Sequence, residues 1–221
     1  MKKVFTLVSI FIISSVCNSQ IAIIKDKDGY TNVRNGTNTK AEIVYKLKEN
    51  EAFWYYDFDE KLDWVEVYIP KDKYSLCDNN QSTINGYIHR SRLLKIEDLP
   101  KANSSEINFK YELIEFDRSR HIVDLENGFV RGLDGRKIWG TDGGFPKIEV
   151  KSINVSVYGK KIHISKALFT DIYECNSKIH IYKLNDTFFV SQSNSDGAGG
   201  YDLLWVINEE GVLQRIVGSI I

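Results

Sequence analysis

The chain is short of the residues that mark several protein classes. Its 221 residues include only three prolines and three cysteines, so neither a proline-rich linker nor a dense disulfide framework is indicated. Charge of one sign is not in excess either, since 29 Lys and Arg stand against 30 Asp and Glu. Sequence-independent binding of nucleic acid needs surplus cations that displace counterions. The sequence therefore predicts no nucleic-acid partner.

Apolar content, in contrast, is that of a folded globular protein. Hydrophobic residues make up 43% of the chain and aromatic residues 12%, which is too apolar for intrinsic disorder. The length suits one large domain or two small ones. No apolar run reaches the roughly 20 residues that a membrane-spanning helix needs, so no membrane span is predicted.

The N terminus has the layout of a secretory signal peptide. A basic start, Met1-Lys2-Lys3, precedes a short apolar stretch from Val4 to Val16, and small residues follow. We expect residues 1–19 to be removed on export, which places the protein in the periplasm or outside the cell. A lipoprotein acylated on Cys17 is a less favoured alternative, because Val16 stands where the bacterial lipobox has a small residue.

Period-two alternation of apolar residues dominates the rest of the chain, as in Trp64–Ile69 and Ile153–Val157. Such alternation is typical of strands with one buried face. Turn pairs such as Asn127-Gly128 and Asp134-Gly135 supply the positive φ angles of tight hairpins. Only residues 166–173, Lys166 to Tyr173, have helical spacing. The predicted fold is therefore all-β with one short helix.

A polar stretch without periodicity divides the chain. Residues 99–106 have the composition of a linker. We therefore predict two modules, an N-terminal domain over residues 20–98 and a C-terminal, sandwich-like β domain over residues 107–221.

The N-terminal module resembles a bacterial SH3-like (SH3b) domain over about residues 21–96. The resemblance rests on Asn32-Val33-Arg34 before a glycine turn, on Trp64–Val67, and on Gly86–His89. It implies a small barrel that binds cell-wall peptides or glycan, or an envelope protein. One departure is a long polar insertion, residues 70–85, ahead of the last strand, where it could alter or cover the groove used by relatives.

This small module contains more aromatic rings than its core can hold, so we expect some of them to form a recognition surface. Several acidic residues, among them Asp57 and Asp59, lie beside these rings in the sequence. The alternative is that the tryptophans belong to the core. The candidate ligand-binding residues are Tyr30, Trp54, Tyr55, Tyr56, Trp64 and Tyr87.

Two glycine-rich loops distinguish the C-terminal module. Gly140–Pro146 contains Asp142, and Ser193–Tyr201 contains Asp196. Neither loop has the spacing of a phosphate-binding or EF-hand motif. The favoured interpretation is sharp turns with Asx hydrogen bonds, and the alternative is a ligand or Ca²⁺ site formed by Asp142 and Asp196. Together these loops resemble a domain of uncharacterised exported bacterial proteins, a likeness that implies a β fold and no activity.

No secure catalytic or metal constellation is present, and no cofactor is predicted. Cys175 followed by His180 does not match a cysteine peptidase. His163 and His180 would share a face if their strands paired, and an acidic residue such as Asp171, Asp142 or Asp196 would then complete a metal shell, but the histidines lack a short ligand spacing. A Cys77–Cys175 disulfide also stays open. The sequence thus favours an exported, non-catalytic protein that binds peptidoglycan or its peptides, over an inhibitor or immunity-type protein and over a metal-dependent envelope hydrolase.

Overall fold

A computed structural model describes residues 20–75, 83–176, 178–195 and 197–219. These ranges contain seventeen strands and five 3-10 turns of three residues each, so the all-β prediction is confirmed. None of the helical segments in these ranges is long and apolar enough to cross a membrane. The expected signal peptide lies outside the described residues, as do Cys77 and Asp196.

The prediction of a short helix over Lys166–Tyr173 is wrong, because the helical segment is much shorter. Only Lys166–Leu168 is helical, as a 3-10 turn, and Phe169 leaves the helical region with φ −137° and ψ −4°. Ser165, the expected cap, makes no capping hydrogen bond. Leu168, Phe169 and Ile172 are instead buried in a common hydrophobic core, because tertiary packing here outweighs a weak local propensity.

The N-terminal half forms one seven-stranded antiparallel sheet in the order β3-β2-β6-β5-β4-β1-β7. Its core follows the alternation in the sequence, since Val65, Val67 and Ile69 of β5 are buried while the residues between them face outward. The strands are β1 (Ile21–Ile24), β2 (Tyr30–Arg34), β3 (Ile43–Lys48), β4 (Phe53–Tyr56), β5 (Trp64–Pro70), β6 (Thr83–His89) and β7 (Leu93–Lys95).

The C-terminal half contains three smaller antiparallel sheets, ordered β13-β12-β8, β11-β10-β9 and β14-β15-β16-β17. The strands of the first two sheets are β8 (Ile107–Glu115), β9 (Val123–Glu126), β10 (Phe129–Leu133), β11 (Arg136–Lys137), β12 (Ile148–Val157) and β13 (Lys160–Ile162). The strands of the third are β14 (His180–Leu184), β15 (Thr187–Asn194), β16 (Tyr201–Asn208) and β17 (Gly211–Gly218).

The four-stranded sheet β14–β17 is covered on both faces. On one side Phe188 and Trp205 pack with residues of β8 and β12, and the Trp205 Nε1–H donates to the Tyr111 hydroxyl at 2.9 Å. On the other side Phe189 and Leu204 pack with residues of the N-terminal half. Burial on both faces explains why residues 188–190 of β15 and 203–207 of β16 are runs of consecutive apolar residues rather than alternating ones.

The two halves are therefore joined by a common hydrophobic cluster. Ile21, Ile23 and Trp54 from the N-terminal sheet contact Leu204 and Ile216 from the C-terminal sheet within this cluster. We call it the junction. Burial at the junction removes apolar surface of both halves from water, so each half is stabilised by the other.

Polar contacts reinforce the junction. The buried Gln214 side chain accepts a hydrogen bond from the Ala52 N–H and donates one to the Ala52 carbonyl, both at 2.8 Å. The Arg215 N–H donates to the carbonyl of Lys73 at 3.1 Å, and the Ser75 hydroxyl donates to the Arg215 carbonyl at 3.2 Å. Strand β17 is thus bound to the N-terminal half through its backbone.

The polar segment of residues 99–106 lies along the outer edge of β14. The Ala102 N–H donates to the Ile181 carbonyl at 3.0 Å, and the Lys183 N–H donates to the Pro100 carbonyl at 2.9 Å. Leu99, at the start of the segment, is buried in the junction. The segment therefore extends the sheet as well as connecting the two halves.

Candidate functional site

The six aromatic residues proposed from the sequence have different environments. Trp54 and Tyr55 are only 4% and 3% exposed, because Trp54 fills the junction and Tyr55 belongs to the core of the N-terminal sheet. A ligand in solvent cannot contact either ring in this conformation. Tyr30 and Tyr56 are exposed by 39% and 47%.

Three of the candidate rings lie on one outward face of the sheet. Tyr56 of β4 pairs with Glu66 of β5, and Glu66 pairs in turn with Tyr87 of β6. Directly paired residues on neighbouring strands point to the same face. Trp64, two residues before Glu66, shares that face, and its ring meets the His89 ring edge-on at 5.6 Å between centroids.

A loop of residues 57–62 borders this face and is held by Arg90. The Arg90 guanidinium donates to both carboxylate oxygens of Asp57, at 2.7 and 2.8 Å, and to the carbonyls of Asp59 and Leu62, at 2.8 and 2.6 Å. These hydrogen bonds from Arg90 lower the pKa of Asp57 below its usual value. The pair fixes the loop as a wall beside the rings.

The wall carries a further aromatic ring. Phe58 is 82% exposed and stacks on Tyr56 at 6.4 Å between centroids. Wall and sheet enclose a cavity of about 240 Å³, which we call the groove, lined by Tyr56, Asp57, Phe58, Asp59, Leu62, Trp64, Glu66, Tyr87 and Arg90.

The groove has surplus negative charge. Asp57 neutralises Arg90, whereas Asp59 and Glu66 make no ion pair with any described residue. Burial raises the pKa of Tyr68 to about 12, and its hydrogen bond to Glu66 acts in the same direction. The Tyr68 hydroxyl therefore stays protonated and is the donor in its hydrogen bond with Glu66. A surface of rings and carboxylates is suited to cations.

Sequence reasoning found part of the groove and missed the rest. Tyr56, Trp64 and Tyr87 come together as lining residues, but Tyr30 does not line the groove, and its ring lies 4.3 Å from the Lys46 ammonium. Glu66 was missed, although its place two residues after Trp64 on an alternating strand puts both on one face. Arg90 gave no signal, because its partners lie about thirty positions earlier.

The two glycine-rich loops of the C-terminal half meet. The Gly140 N–H donates to the Gly199 carbonyl at 2.9 Å, and the Ser195 hydroxyl donates to the Gly140 carbonyl at 2.9 Å. Asp142 is exposed and lines a second cavity at this contact. Its proposed partner, Asp196, lies outside the described residues, so the paired Asp142 and Asp196 site stays a prediction.

Comparisons of the chain with protein-family models, with curated proteins and with solved structures found no match. The resemblance of residues 21–96 to bacterial SH3-like domains therefore stays a prediction from sequence motifs.

The histidines considered for a metal site do not share a sheet. His163 follows β13, which pairs with β12, whereas His180 begins β14, which pairs with β15. The condition for a shared histidine face is therefore not met, because β13 and β14 each form a hairpin with a sequence neighbour. Within the described ranges, no three His, Cys, Asp or Glu side chains are grouped as metal ligands would be.

Cys175 is a buried free thiol. Burial raises its pKa to about 12, against a smaller opposing effect of the hydrogen bond to the Gln192 side chain. A nucleophilic cysteine needs the opposite shift, since the thiolate is the reactive form. The geometry therefore gives Cys175 a structural role.

His121 is bound by carboxylates at both ring nitrogens. Its Nδ1 lies 2.7 Å from an oxygen of Asp134, and its Nε2 lies 2.7 Å from an oxygen of Glu149. Both distances are those of hydrogen bonds, so the ring bridges the two acidic side chains. The ring also stacks on Phe116. His121 thus fastens the hairpin turn after β10 to β12.

Proposed function

We propose that this protein is an exported, non-catalytic binding protein whose groove engages a cell-envelope ligand. Peptidoglycan or its peptides are the first candidate, as the resemblance to bacterial SH3-like domains implies. The observation that carries the proposal is the groove itself, which is lined by four aromatic rings and by Asp59 and Glu66, two carboxylates without an ion pair to any described residue.

The groove is chemically suited to a ligand that carries an ammonium group on an apolar stem. A cation over an aromatic face gains about 0.5–2 kcal/mol, depending on its desolvation. Carboxylates beside the rings add attraction for the same cation and repel anions. A cell-wall peptide that presents a free ammonium group would have the required charge.

The proposed location is the periplasm or the medium, with residues 1–19 as the signal peptide. Attachment through Cys17 is the alternative form of export. Either location brings the groove to cell-wall material.

Co-sedimentation of the purified protein with isolated peptidoglycan tests the proposal. Trp64→Ala and Tyr87→Ala should each weaken binding about tenfold, because each removes one ring from the groove. Tyr30→Ala is the matched control, since it removes an exposed ring that does not line the groove.

Glu66→Gln separates charge from shape, because it keeps the size of the side chain. It should weaken binding and reduce the dependence on salt. The proposed function is wrong if the wild-type protein stays in the supernatant. It is also wrong if the three groove variants sediment as well as the wild type and the Tyr30→Ala control do.

A further inference from the structure

Strand β8 is the longest strand that lies at the edge of a sheet in the described part of the chain. It has nine residues, whereas β13, at the opposite edge of the same sheet, has three. Strand β12 pairs with one side of β8 along its whole length. On the other side, no described residue forms a backbone hydrogen bond with residues 108–115. The N–H and carbonyl groups on that side are therefore available to another strand.

The backbone of β8 has few of the features that protect an edge strand from pairing. Such strands are commonly short, contain proline or are interrupted by a β-bulge. Strand β8 is long and contains no proline. The bulge in its sheet lies on β12, where the register shifts between Val150 and Ser152. The free edge of β8 is thus regular.

The exposed charges of β8 make the strand complementary to itself. Lys110 and Glu112 are exposed and lie two residues apart, so they point to the same outward face. Tyr111, between them, is buried in the core. When two copies of β8 pair antiparallel about a two-fold axis at Tyr111, each Lys110 lies opposite Glu112 of the second copy. Opposite charges in directly paired positions stabilise a sheet.

The same charges favour this register over the two neighbouring ones. A two-fold axis at Lys110 would place two ammonium groups opposite each other, and an axis at Glu112 would do the same with two carboxylates. Like charges in directly opposite positions are destabilising. In the register centred on Tyr111, Phe109 of one copy also pairs with Leu113 of the other on the core side, so apolar residues meet each other.

Both charged groups can make the additional contact. Each carboxylate oxygen of Glu112 accepts one hydrogen bond, from the Lys151 ammonium at 2.6 Å and from the Ser152 hydroxyl at 2.7 Å. A carboxylate has about four acceptor positions, so Glu112 can accept from a second lysine. Lys110 makes no ion pair with any described residue.

We propose that two copies of this protein associate through antiparallel pairing of their β8 strands. The pairing joins two three-stranded sheets into one sheet of six strands. The two-fold axis passes between the two Tyr111 residues, and a contact between Lys110 and Glu112 lies on each side of it. Strand β8 shares no residue with the groove, so the proposal does not depend on the proposed function.

Analytical ultracentrifugation of the purified protein tests the proposal. The wild type should change from monomer to dimer as its concentration rises to about 100 µM. Lys110→Glu should weaken dimerisation about tenfold or more, because it places like charges opposite each other. Lys110→Glu combined with Glu112→Lys restores opposite charges across the axis, so the double variant should dimerise within about threefold of the wild type.

The matched control is Lys161→Glu, which reverses the charge of an exposed lysine on β13, at the opposite edge of the same sheet. It should dimerise as the wild type does. Amide hydrogen exchange locates the contact, since alternate N–H groups of residues 108–114 should be better protected at high than at low protein concentration.

Four outcomes would overturn the proposal. They are a wild-type protein that stays monomeric at about 100 µM, a dimer that Lys110→Glu leaves intact, a folded double variant that does not dimerise, and exchange in β8 that does not depend on concentration.

Circular dichroism of each variant establishes that it is folded.

Discussion

Replacing Gln214 by methionine should destabilise the whole protein, because it removes two hydrogen bonds at the junction. The Gln214 side chain pairs with the N–H and the carbonyl of Ala52, each at 2.8 Å, and both residues are buried. Methionine has nearly the same length, so no large cavity forms. The N–H and the carbonyl of Ala52 then remain buried without partners.

The expected loss follows from those two orphaned groups. Each costs about 1–3 kcal/mol, and the more apolar methionine returns about 1 kcal/mol through burial. The free energy of unfolding should therefore fall by about 1–5 kcal/mol. Urea denaturation followed by tryptophan fluorescence and by far-ultraviolet circular dichroism measures it, and the two signals should coincide because the halves share the junction.

The control is Lys161→Met, which places the same new side chain at an exposed position. It should change the free energy of unfolding by less than about 0.5 kcal/mol. A loss below about 0.5 kcal/mol for Gln214→Met would refute this account of the junction. Two separate transitions in the wild-type protein, one for each half, would refute the coupling of the halves.

Three further predictions concern ionisable groups. Arg90 lowers the pKa of Asp57 in the folded state. The pair therefore stabilises the protein above about pH 4, and this contribution is lost as the pH falls through the lowered pKa. The Asp57→Asn variant should be less stable than the wild type by about 1–2 kcal/mol at pH 7, and its stability should fall less steeply between pH 5 and 3. His121→Leu should cost about 1–3 kcal/mol in urea denaturation, since it removes the ring that is hydrogen-bonded to Asp134 and Glu149; a cost near zero would show that these contacts add no net stability. In a background with Cys17→Ser and Cys77→Ser, Cys175 should resist a thiol reagent at pH 8 until the protein is unfolded, and rapid labelling of the folded protein would contradict its burial.

The sequence pattern predicts where the strands lie better than it predicts which distant residues pack against them. The alternation of Val65, Val67 and Ile69 located β5 and its buried face correctly, because the two-residue repeat of a strand is a local property. The sequence around Trp54 does not distinguish it from the aromatic residues that are exposed. In the structure, however, Trp54 packs in one hydrophobic cluster with Leu204 and Ile216 of the C-terminal sheet. Its burial depends on residues about 150 positions later, which no local pattern reveals.

The candidate sites show the same limit. Tyr56, Trp64 and Tyr87 could be proposed because aromatic residues exceeded the capacity of a small core. Their convergence depends on strand register, and the glycine-rich loops likewise meet through Gly140 and Gly199, which are far apart in the sequence. Residue types could therefore be predicted locally, whereas their grouping required the fold.

The coverage of sheet β14–β17 at its edges has a consequence for self-association. An unpaired edge strand offers N–H and carbonyl groups to strands of other molecules, which is a common route to aggregation. Here residues 100–102 bind the outer edge of β14, and the main chain at Lys73 binds Arg215 on the outer edge of β17. Loosening either segment would uncover the N–H and carbonyl groups of an edge strand, so both segments also protect this sheet from intermolecular pairing.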